Sequence, residues 1–345
     1  MAMEEVVLPK PLMISLEEEH KNCVNYAFRC SWDISREKNL VCVTSGNSYL
    51  GSHIVRALLA RGYRIRVTIQ NQEDYEDMKK LMRDEEINQL ESVVVAKMGN
   101  LDRLCDAFRG CHAIFHTSSF IDPHGVSGYS GQMAFLETEG AKNVIEACGR
   151  AAHAKRCIFT SSLLASIWTG DSENKIIDEF SWSNEEFCRE NKLWLALGKT
   201  TAEMACWRKS KEMKVNLVTV CPGLLMDSYA HKDSSIPYLK GGKDMLKNGH
   251  LAIEDVKKAA EAHVYVYEAM DSGACGRYLC FGKVVRTRSE ALELENMLRV
   301  QGLLSGGSLE VFDEETGAEI NSMLSNAKLV RLIQASQRLS CKPVV

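Results

Sequence analysis

Residues 40–69, LVCVTSGNSYLGSHIVRALLARGYRIRVTI, decide the fold of this chain. Leu40–Thr44 is a short apolar run, and a cluster of Ser, Gly and Asn follows it. Apolar residues then recur at helical spacing over 50–59, and they alternate as in a strand over 65–69. Strand, glycine-bearing turn, helix and strand together form the opening βαβ unit of a dinucleotide-binding sheet.

Segments of strand and helix length continue to alternate as far as residue 220. Strands that are separated by helices pair in parallel through right-handed crossovers, and the helices then cover both faces of the sheet. The sequence therefore predicts an α/β protein with a Rossmann-type, doubly wound parallel sheet. The predicted helices cover 73–83, 101–108, 135–152 and 190–209, and the predicted strands cover 92–96, 112–117, 156–161 and 216–220.

The alternation changes after Cys221-Pro222-Gly223, which suggests a second part of the protein. We predict an N-terminal extension over 1–38, an NAD(P)-binding Rossmann domain over 39–222, and a small C-terminal substrate lobe with a tail over 223–345. The sequence does not decide whether the extension is loose or packs on the sheet edge. Beyond residue 223 it predicts a polar loop over 227–235, helices near 238–247, 253–270 and 289–300, and a strand over 277–281.

The composition is that of a globular protein with a substantial core. The chain has 345 residues, of which 45% are hydrophobic and 26% are charged. The net charge of −4 gives no indication of nucleic acid or an anionic membrane as partner. No apolar run approaches the ~20 residues of a membrane span. The N-terminus lacks a basic region followed by an apolar core, so the cytosol (a cytoplasmic protein) is the expected compartment.

Thirteen cysteines are scattered through the chain without a CxxC pair or a metal-ligand spacing. Several of them, such as Cys42 and Cys157, lie within apolar runs. Buried reduced thiols are therefore favoured over disulfides or zinc. We predict that all thirteen are free thiols and that the chain has no metal site.

Three stretches together resemble the extended short-chain dehydrogenase/reductases of plants, in particular the cinnamoyl-CoA reductase and dihydroflavonol reductase group. The resemblance covers about residues 39–285, and CGRYLC at Cys275–Cys280 adds to it. It implies a Rossmann domain, a nicotinamide cofactor, and reduction of a carbonyl or acyl-CoA group on an aromatic substrate. The stretches are VTSGNSYLGSHIVRALLARGY, the pair GCHAIFHTS and RCIFTSS, and IIDEFSWSNEEFCRENKLWLALGKTTAEMACW.

The family pattern TGxxGxxG falls on Thr44 to Gly51, where this chain reads TSGNSYLG. The first glycine of such a turn permits the tight bend, the second lets the backbone approach the pyrophosphate, and the third lets helix and strand pack closely. Ser45 and Ser48 occupy the first two positions, so an ordinary turn without a nucleotide competes with cofactor binding. The resemblance implies these cofactor-binding residues: Thr44, Ser45, Gly46, Ser48, Tyr49, Leu50 and Gly51.

The adenosine end of the cofactor site lacks the cations that the resemblance implies. In NADP-dependent members an Arg after the second strand and a Lys six residues later hold the 2′-phosphate, and those positions are Gln70 and Glu76 here. Losing two cations and gaining an anion is unfavourable beside a phosphate. Arg66 remains on this strand, either for the cofactor or, as the residues favour, as a solvated charge. Because Lys97 also replaces the Asp expected near the adenine, NADP(H) and NAD(H) both stay open.

The catalytic helix carries the decisive change. The resemblance implies a Tyr and a Lys four residues apart, so that both face the substrate. The Lys charge lowers the pKa of the Tyr, which passes a proton to the carbonyl oxygen that a Ser hydroxyl orients. Ser162 and Lys199 match the Ser and the Lys, and Lys199 and Pro222 also match positions beside the nicotinamide. Leu195 stands at the Tyr position and has no proton to donate.

The sequence leaves two questions about this helix open. Ser161 could replace Ser162 if the register were wrong by one residue. Leu197 stands where some members carry a second Tyr, so the proton would have to come from elsewhere. The candidate substitutes, which the sequence does not place, are Tyr49, Tyr238 and Tyr267.

Residues for CoA recognition are also missing. The His and Lys that grip CoA in the family fall on Ser234 and Pro237. His263 lies on an apolar helix stripe, which favours a packed histidine over a catalyst. The family Asp that precedes it falls on Lys258, with Asp255 as a neighbour. A phenylpropanoid CoA thioester is thus expected from the resemblance alone, and a small aromatic aldehyde or ketone fits equally well.

The leading hypothesis is a cinnamoyl-CoA reductase-like NAD(P)-binding protein of plant phenylpropanoid-type metabolism whose ordinary carbonyl reductase activity is lost or strongly reduced. An active NAD(P)H-dependent reductase with a substitute proton donor is the first alternative. A cofactor- or metabolite-binding regulator and a non-redox enzyme are the others. The expected partner is a small aromatic metabolite or an acyl-CoA, and the sequence does not decide between enzyme and binding protein.

Overall fold

Seven strands form one parallel sheet in the computed structural model, which describes residues 39–117, 129–170, 176–226, 237–300 and 323–340. Together with those of two smaller sheets, the described strands in chain order are β1 (Leu40–Thr44), β2 (Arg64–Ile69), β3 (Ser92–Val95), β4 (Ala113–His116), β5 (Arg156–Thr160), β6 (Ile176–Ile177), β7 (Asn216–Pro222), β8 (Leu224–Met226), β9 (Ala252–Asp255), β10 (Gly276–Cys280), β11 (Lys283–Val284) and β12 (Met323–Leu324). The large sheet has the order β10-β7-β5-β4-β1-β2-β3. This order changes direction between β1 and β4, so the predicted Rossmann-type sheet is confirmed.

Helices cover both faces of this sheet. In chain order they are α1 (Tyr49–Leu59), α2 (Glu73–Leu81), α3 (Asp84–Asn88), α4 (Leu101–Phe108), α5 (Gly131–Arg150), α6 (Leu164–Ile167), α7 (Glu185–Glu190), α8 (Trp194–Met213), α9 (Gly242–Lys247), α10 (Val256–Ala269), α11 (Arg288–Val300) and α12 (Ala327–Ser340). Buried side chains of α1, α10 and α12 pack on one face, and those of α4, α5 and α8 pack on the other. Every residue of β1 is therefore buried, which explains its continuous apolar sequence.

A third apolar cluster lies beside the two smaller sheets, which are β11-β9-β8 and the parallel pair β12-β6. It joins α6, the start of α8, a 3₁₀ turn at Pro237–Leu239, α9 and α11, and we call it the lobe cluster. The division into lobes at residue 222 stays a prediction, although the main sheet takes β10 from beyond it. The buried members of the lobe cluster include Leu163, Leu164, Ile167, Trp168, Leu193, Ala196, Leu197, Tyr238, Met245 and Leu251.

The helix predicted over 190–209 begins only at Trp194, as α8, and the separate helix α7 ends at Glu190. Lys192, which lies between them, has a φ of +54°, a left-handed conformation that an α-helix cannot contain. The sequence did not indicate this break because lysine is an ordinary helix-forming residue. Leu195 and Lys199 nevertheless share α8 and lie one turn apart, as predicted.

The helix predicted over 253–270 begins only at Val256. Residues 252–255 instead form β9, which pairs with β8 and β11. The Asp255 carboxylate then caps α10 by accepting hydrogen bonds from the backbone N–H groups of Lys257 and Lys258. The side chains of β9 are alternately buried and partly exposed, as in a strand, so the helical period used for the prediction does not apply to these residues.

The predictions for the two ends of the chain are not confirmed by the structure. Residues 1–38 lie outside the described residues, so the two alternatives for that extension stay open. The α12 helix was not predicted, and it packs Leu329 and Leu332 against the cluster of α1 and α10. Among the described helices none is long and apolar enough to cross a membrane.

The prediction that all thirteen cysteines are free is wrong. Nine cysteines in the described ranges have free thiols, and eight of those nine are buried. Cys275, however, is disulfide-bonded, and its partner lies outside the described residues. Sequence spacing could not reveal this bond, because a disulfide depends on which Cα atoms the fold brings within reach. No group of three or more potential metal ligands occurs within the part of the chain that the structure describes.

Candidate active site

The turn after β1 keeps the backbone conformation that the glycine pattern requires. Ser45 has a φ of +48°, in the left-handed region that glycine adopts without steric cost. Its carbonyl oxygen accepts a hydrogen bond of 2.8 Å from the N–H of Ser48, which closes the turn. A serine therefore holds a glycine-type position here.

Close packing explains why one glycine of the pattern is present. A Cβ atom at Gly51 would lie 2.4 Å from the carbonyl oxygen of Ser45 and 2.7 Å from Oγ of Ser48. The hydroxyl of Ser48 accepts a 3.1 Å hydrogen bond from the N–H of Gly51, so this serine is the N-cap of α1. Ser48 thus stabilises the helix start, and its hydroxyl hydrogen can still point to a ligand.

Features of this turn fit the pyrophosphate of a dinucleotide. The first turn of α1 carries no acidic residue, and a helix N-terminus of this kind attracts anions. Oδ1 of Asn47 is buried and has no hydrogen-bond partner among the described residues; as an acceptor it suits a ribose hydroxyl of the cofactor and not the pyrophosphate itself. Tyr49 and Leu50 follow as the first two residues of α1. The residues present therefore fit this half of the cofactor.

The end of β2 does not fit a 2′-phosphate. The backbone N–H of Gln70 donates to the carboxylate of Asp74 at 2.7 Å, which puts a negative charge at the strand end. Glu76 is 66% exposed in its side chain and pairs with Lys79 at 2.9 Å. Lys97 is exposed on the neighbouring segment after β3. Neither Gln70 nor Glu76 offers the phosphate a cation.

Arg66 is not the solvated charge that the sequence favoured. Its guanidinium donates 2.8 Å hydrogen bonds to the carbonyl oxygens of Ala107 and Arg109, at the carboxyl end of α4. It also donates to Oγ of Ser92 at 3.1 Å on the neighbouring strand. The positive charge thus caps a helix C-terminus. These contacts account for Arg66 without a cofactor and do not support its assignment to the cofactor site.

Lys199 is bound by a buried acid that the sequence analysis missed. Its Nζ lies 2.5 Å from Oε1 of Glu137 on α5, and the two side chains are only 11% and 4% exposed. The hydroxyl of Tyr129 donates to the other carboxylate oxygen of Glu137 at 2.5 Å. Burial and the Glu137 charge both raise the pKa of Tyr129 above its ordinary value.

The sequence did contain a signal for Glu137. It lies on the buried stripe of α5 between Ala134 and Ala141, where a charged residue is unexpected. A buried acid in such a stripe needs a cationic partner, and Lys199 supplies it. Lys199 also contributes, after burial itself, to lowering the pKa of His116 to about 3 at the end of β4. Lys199 therefore lies near the carboxyl edge of the sheet, where ligands bind in open α/β folds.

Leu195 lies on the same side of α8 as Lys199, one turn earlier. Its side chain is half-buried and packs against the lobe cluster, while Leu197 is 4% exposed. The helix face next to Lys199 is therefore aliphatic where the resemblance implies a phenol. No group that transfers a proton is available from these two side chains.

A buried ion pair engages Ser161, one of the two serines between which the sequence leaves the catalytic position open. The hydroxyl of Ser161 donates at 2.6 Å to Oε2 of Glu203, whose other oxygen is 2.8 Å from Nε of Arg277. Ser161 is therefore committed to this pair. The hydroxyl of Ser162 accepts from the N–H of Leu164 at 3.2 Å and keeps its hydrogen for another acceptor.

The strand ends bring other predicted residues together at the same edge. Oγ1 of Thr44 lies 3.0 Å from Nδ1 of His116, and it also accepts from the N–H of Thr117 at 3.1 Å. The carbonyl oxygen of Pro222 accepts a 2.8 Å hydrogen bond from the N–H of Leu163. Pro222 therefore lies beside the segment that begins at Ser162, in keeping with a shared site.

The three candidate tyrosines lie in different places. Tyr49 is at the start of α1, where its ring meets the edge of His53 at 5.7 Å. The hydroxyl of Tyr267 lies 3.1 Å from Nδ1 of His112, which precedes β4 and so marks the amino edge of the sheet. Tyr267 is thus on the wrong side to serve the site. Tyr238 is buried in the lobe cluster, and burial raises its pKa above the ordinary value.

The predicted packing role of His263 agrees with the structure. Its Nε2 lies 2.9 Å from Oγ1 of Thr160, and its Nδ1 lies 2.7 Å from the carbonyl oxygen of Ala259. Burial lowers its pKa to about 4. Ser234 and the side chain of Pro237 lie outside what the structure describes, so the missing CoA contacts stay a prediction.

Comparisons with known proteins agree on one family. The family model of the 3-beta hydroxysteroid dehydrogenase/isomerase family matches residues 42–266. Cinnamoyl-CoA reductase 1 of Petunia hybrida is 33% identical over 266 residues, which are 74% of this chain and 76% of the relative. Cinnamoyl-CoA reductase 1 of Arabidopsis thaliana is 34% identical over 265 residues, 74% of this chain and 73% of the relative.

Solved structures show the same fold. Vestitone reductase from alfalfa (Medicago sativa L.) has a TM-score of 0.61 at 25% identity, covering 86% of this chain and 92% of its own. The yeast methylglyoxal/isovaleraldehyde reductase Gre2, complexed with NADPH, has a TM-score of 0.63 at 18% identity, covering 86% and 93%. The second likeness concerns the fold alone.

Proposed function

Because the chain belongs to the 3-beta hydroxysteroid dehydrogenase/isomerase family, and within it to the cinnamoyl-CoA reductase-like extended short-chain reductases, we propose a binding protein with little reductase activity. It would bind a nicotinamide dinucleotide and a small aromatic metabolite or acyl-CoA, and it would reduce carbonyl groups very slowly or not at all. The observation that carries this proposal is the buried pair of Lys199 and Glu137 beside Leu195. The substrate class follows the names of the relatives, and a role in phenylpropanoid-type metabolism is proposed from the family resemblance.

Two effects act on the proton transfer. Leu195 cannot donate a proton, and general acid–base help of this kind is typically worth 10²–10⁴-fold in rate. The carboxylate of Glu137 also offsets the charge by which Lys199 would lower the pKa of a neighbouring phenol. Restoring the phenol alone would therefore leave it without an effective lysine.

The cofactor would supply the hydride, and the turn after β1 would hold its pyrophosphate. The backbone N–H groups at the start of α1 and the hydroxyl of Ser48 would contact it, while Gly46 and Gly51 let the turn pack closely against β2 and against itself. Lys199 is the residue that would reach the nicotinamide ribose, and Pro222 would border the nicotinamide. Since Gln70 and Glu76 provide no cation, we infer weak NADPH binding.

Calorimetric titration with NADPH and NADH, followed by a turnover assay, tests the proposal. We expect detectable binding of at least one dinucleotide and a turnover of coniferaldehyde or a hydroxycinnamoyl-CoA well under 1 s⁻¹, the lower end of typical enzymes. Binding with no turnover would support a metabolite-binding regulator. Absence of binding of either dinucleotide would contradict the cofactor part and favour the non-redox alternative.

A second candidate, a slow reductase with a substitute donor, is favoured by one observation. Tyr238 is buried beside α8, and its hydroxyl has no hydrogen-bond partner within the described part of the chain. Its raised pKa makes it a poor acid at neutral pH, which is why this candidate ranks second. Loss of any residual turnover in Tyr238→Phe would favour it.

A further inference from the structure

Two polar atoms in the lobe cluster are buried without a hydrogen-bond partner among the described residues: Oη of Tyr238 and Nε1 of Trp168. Tyr238 is 8% exposed and Trp168 is 5% exposed. Folded proteins rarely leave buried donors unsatisfied, because each one loses its hydrogen bonds to water. Two such donors in one apolar cluster therefore call for an acceptor that the described residues do not provide.

Both donors belong to the same part of the molecule as the candidate active site. The 3₁₀ turn of Tyr238 contacts α8, and Leu197 and the half-buried Leu195 on that helix pack in the same cluster. A Cβ atom at Gly241 would lie 2.7 Å from the ring of Trp168. The segment that follows Tyr238 thus runs directly against Trp168.

The surroundings restrict the chemistry of a ligand. The cluster is built from aliphatic and aromatic side chains, and the ring of Phe187 stacks on Trp168 with centroids 6.1 Å apart and planes at 23°. Such walls favour a planar, apolar molecule. The indole N–H of Trp168 and the phenol O–H of Tyr238 favour a molecule that also carries an oxygen acceptor. Leu163 and Leu164 extend the same wall up to Ser162.

We propose that Oη of Tyr238 and Nε1 of Trp168 donate hydrogen bonds to oxygen atoms of an aromatic ligand held against the lobe cluster. The ligand class, an aromatic aldehyde or phenol, rests on the proposed function. The role given to Tyr238 is to hold the ligand through a hydrogen bond, and no proton is transferred in this step. This hydrogen-bonding role of Tyr238 is the same whether the protein turns its ligand over or only binds it.

The test is a calorimetric titration of the full chain with coniferaldehyde, in the absence of cofactor. Tyr238→Phe removes only the hydroxyl, and it should weaken binding about tenfold. Because that hydroxyl has no partner among the described residues, the unfolding midpoint of the variant should be unchanged or higher. Trp168→Phe removes the second donor and should also weaken binding. Tyr265→Phe is the matched control, since its ring lies in another cluster under Arg61.

Three results would overturn the proposal. Equal affinity in the unaltered protein and Tyr238→Phe would show that an ordered water satisfies the hydroxyl. A lower unfolding midpoint in Tyr238→Phe would show a structural partner instead. Failure of the unaltered protein to bind coniferaldehyde would contradict the proposed ligand class. Ordinary turnover of coniferaldehyde would contradict the proposed function but would leave the affinity comparison valid.

Discussion

The side chain of Lys199 ends 2.5 Å from the carboxylate of Glu137, and both groups are almost completely buried. The carboxylate offsets part of the positive charge that Lys199 would exert on a neighbouring phenol. Glu137 also accepts the hydroxyl hydrogen of Tyr129, so its carboxylate is held on two sides. The proposal of low carbonyl reductase activity rests on this pair together with Leu195.

Cofactor preference should respond to the missing cations. We expect Gln70→Arg combined with Glu76→Lys to shift the preference from NADH toward NADPH by about 1–3 kcal/mol, because charge-assisted contacts to the 2′-phosphate would be recovered. Calorimetric titration of both dinucleotides measures the shift. Asp77→Lys, on the same exposed helix, is the control for a mere change in net charge. Low-micromolar NADPH affinity in the unaltered protein would contradict the prediction.

Ser45 should be a source of strain. We expect Ser45→Gly to raise the free energy of unfolding by about 1 kcal/mol, because a left-handed residue with a Cβ atom is disfavoured by roughly that amount. Urea denaturation measures the difference. Lys214, at φ +54° after α8, gives the comparison, and Lys214→Gly should show a similar gain. A clear loss of stability in Ser45→Gly would show that the serine side chain stabilises the turn.

The buried pair of Glu203 and Arg277 should be important for stability. The Arg277 charge lowers the pKa of Glu203 despite the opposing effect of burial, which indicates that the acid is ionised. Glu203→Gln should cost about 3–5 kcal/mol, because it leaves a buried guanidinium without its counter-charge. Glu76→Gln, in an exposed pair, should cost less than about 1 kcal/mol. Equal effects of the two substitutions in urea denaturation would be incompatible with this account.

Buried neutral histidines should make the protein sensitive to mild acid. Burial lowers the pKa of His263 to about 4, and burial with the Lys199 charge lowers that of His116 to about 3. In the unfolded chain both take up a proton near pH 6.5, while in the folded chain they remain neutral until pH 4 or below. Stability contributed by the neutral forms is therefore complete above pH 6.5 and falls as the pH is lowered toward 4.

The expected loss by pH 5 is about 2 kcal/mol for each of these histidines. The free energy of unfolding measured between pH 7 and pH 5 gives the slope. His263→Gln should reduce that slope, whereas His153→Gln, at an exposed position, should leave it unchanged. A slope that is the same in all three proteins would contradict the prediction for His263.

The sequence predicted much of the fold because its main elements have local signals. Leu40–Thr44 is a strand over the residues expected, and the parallel sheet follows from the alternation of segments. The predicted start of α8 was wrong because a lysine such as Lys192 does not indicate a left-handed backbone. The prediction that every cysteine is a free thiol was wrong at Cys275, because the partner of a disulfide is determined by the tertiary structure.

The candidate site was predictable only where a linear pattern exists. Lys199 and Ser162 were located by spacing, and the structure puts them on α8 and after β5. Glu137 was missed because its partner lies 62 positions away in the chain. Arg66 was misjudged for the same reason, since the carbonyl groups that it caps belong to a distant helix.

Relief of both blocks should restore proton transfer. We expect Leu195→Tyr alone to give little activity, and Leu195→Tyr with Glu137→Ala to be about 10²–10⁴-fold faster than the unaltered protein. Glu137→Ala also breaks a buried pair, so its unfolding midpoint must be measured alongside, with Glu137→Gln as the milder variant. Lys199→Ala in the double variant is the control and should abolish the gain.

The most direct test of the central claim is the turnover of the unaltered protein. It should be assayed with saturating NADPH and, separately, NADH, on coniferaldehyde and on a hydroxycinnamoyl-CoA. We expect a turnover number no higher than about 10⁻² s⁻¹ for either substrate, which is 10²-fold below an ordinary slow enzyme. A turnover number of about 1 s⁻¹ or more for either substrate would contradict this expectation.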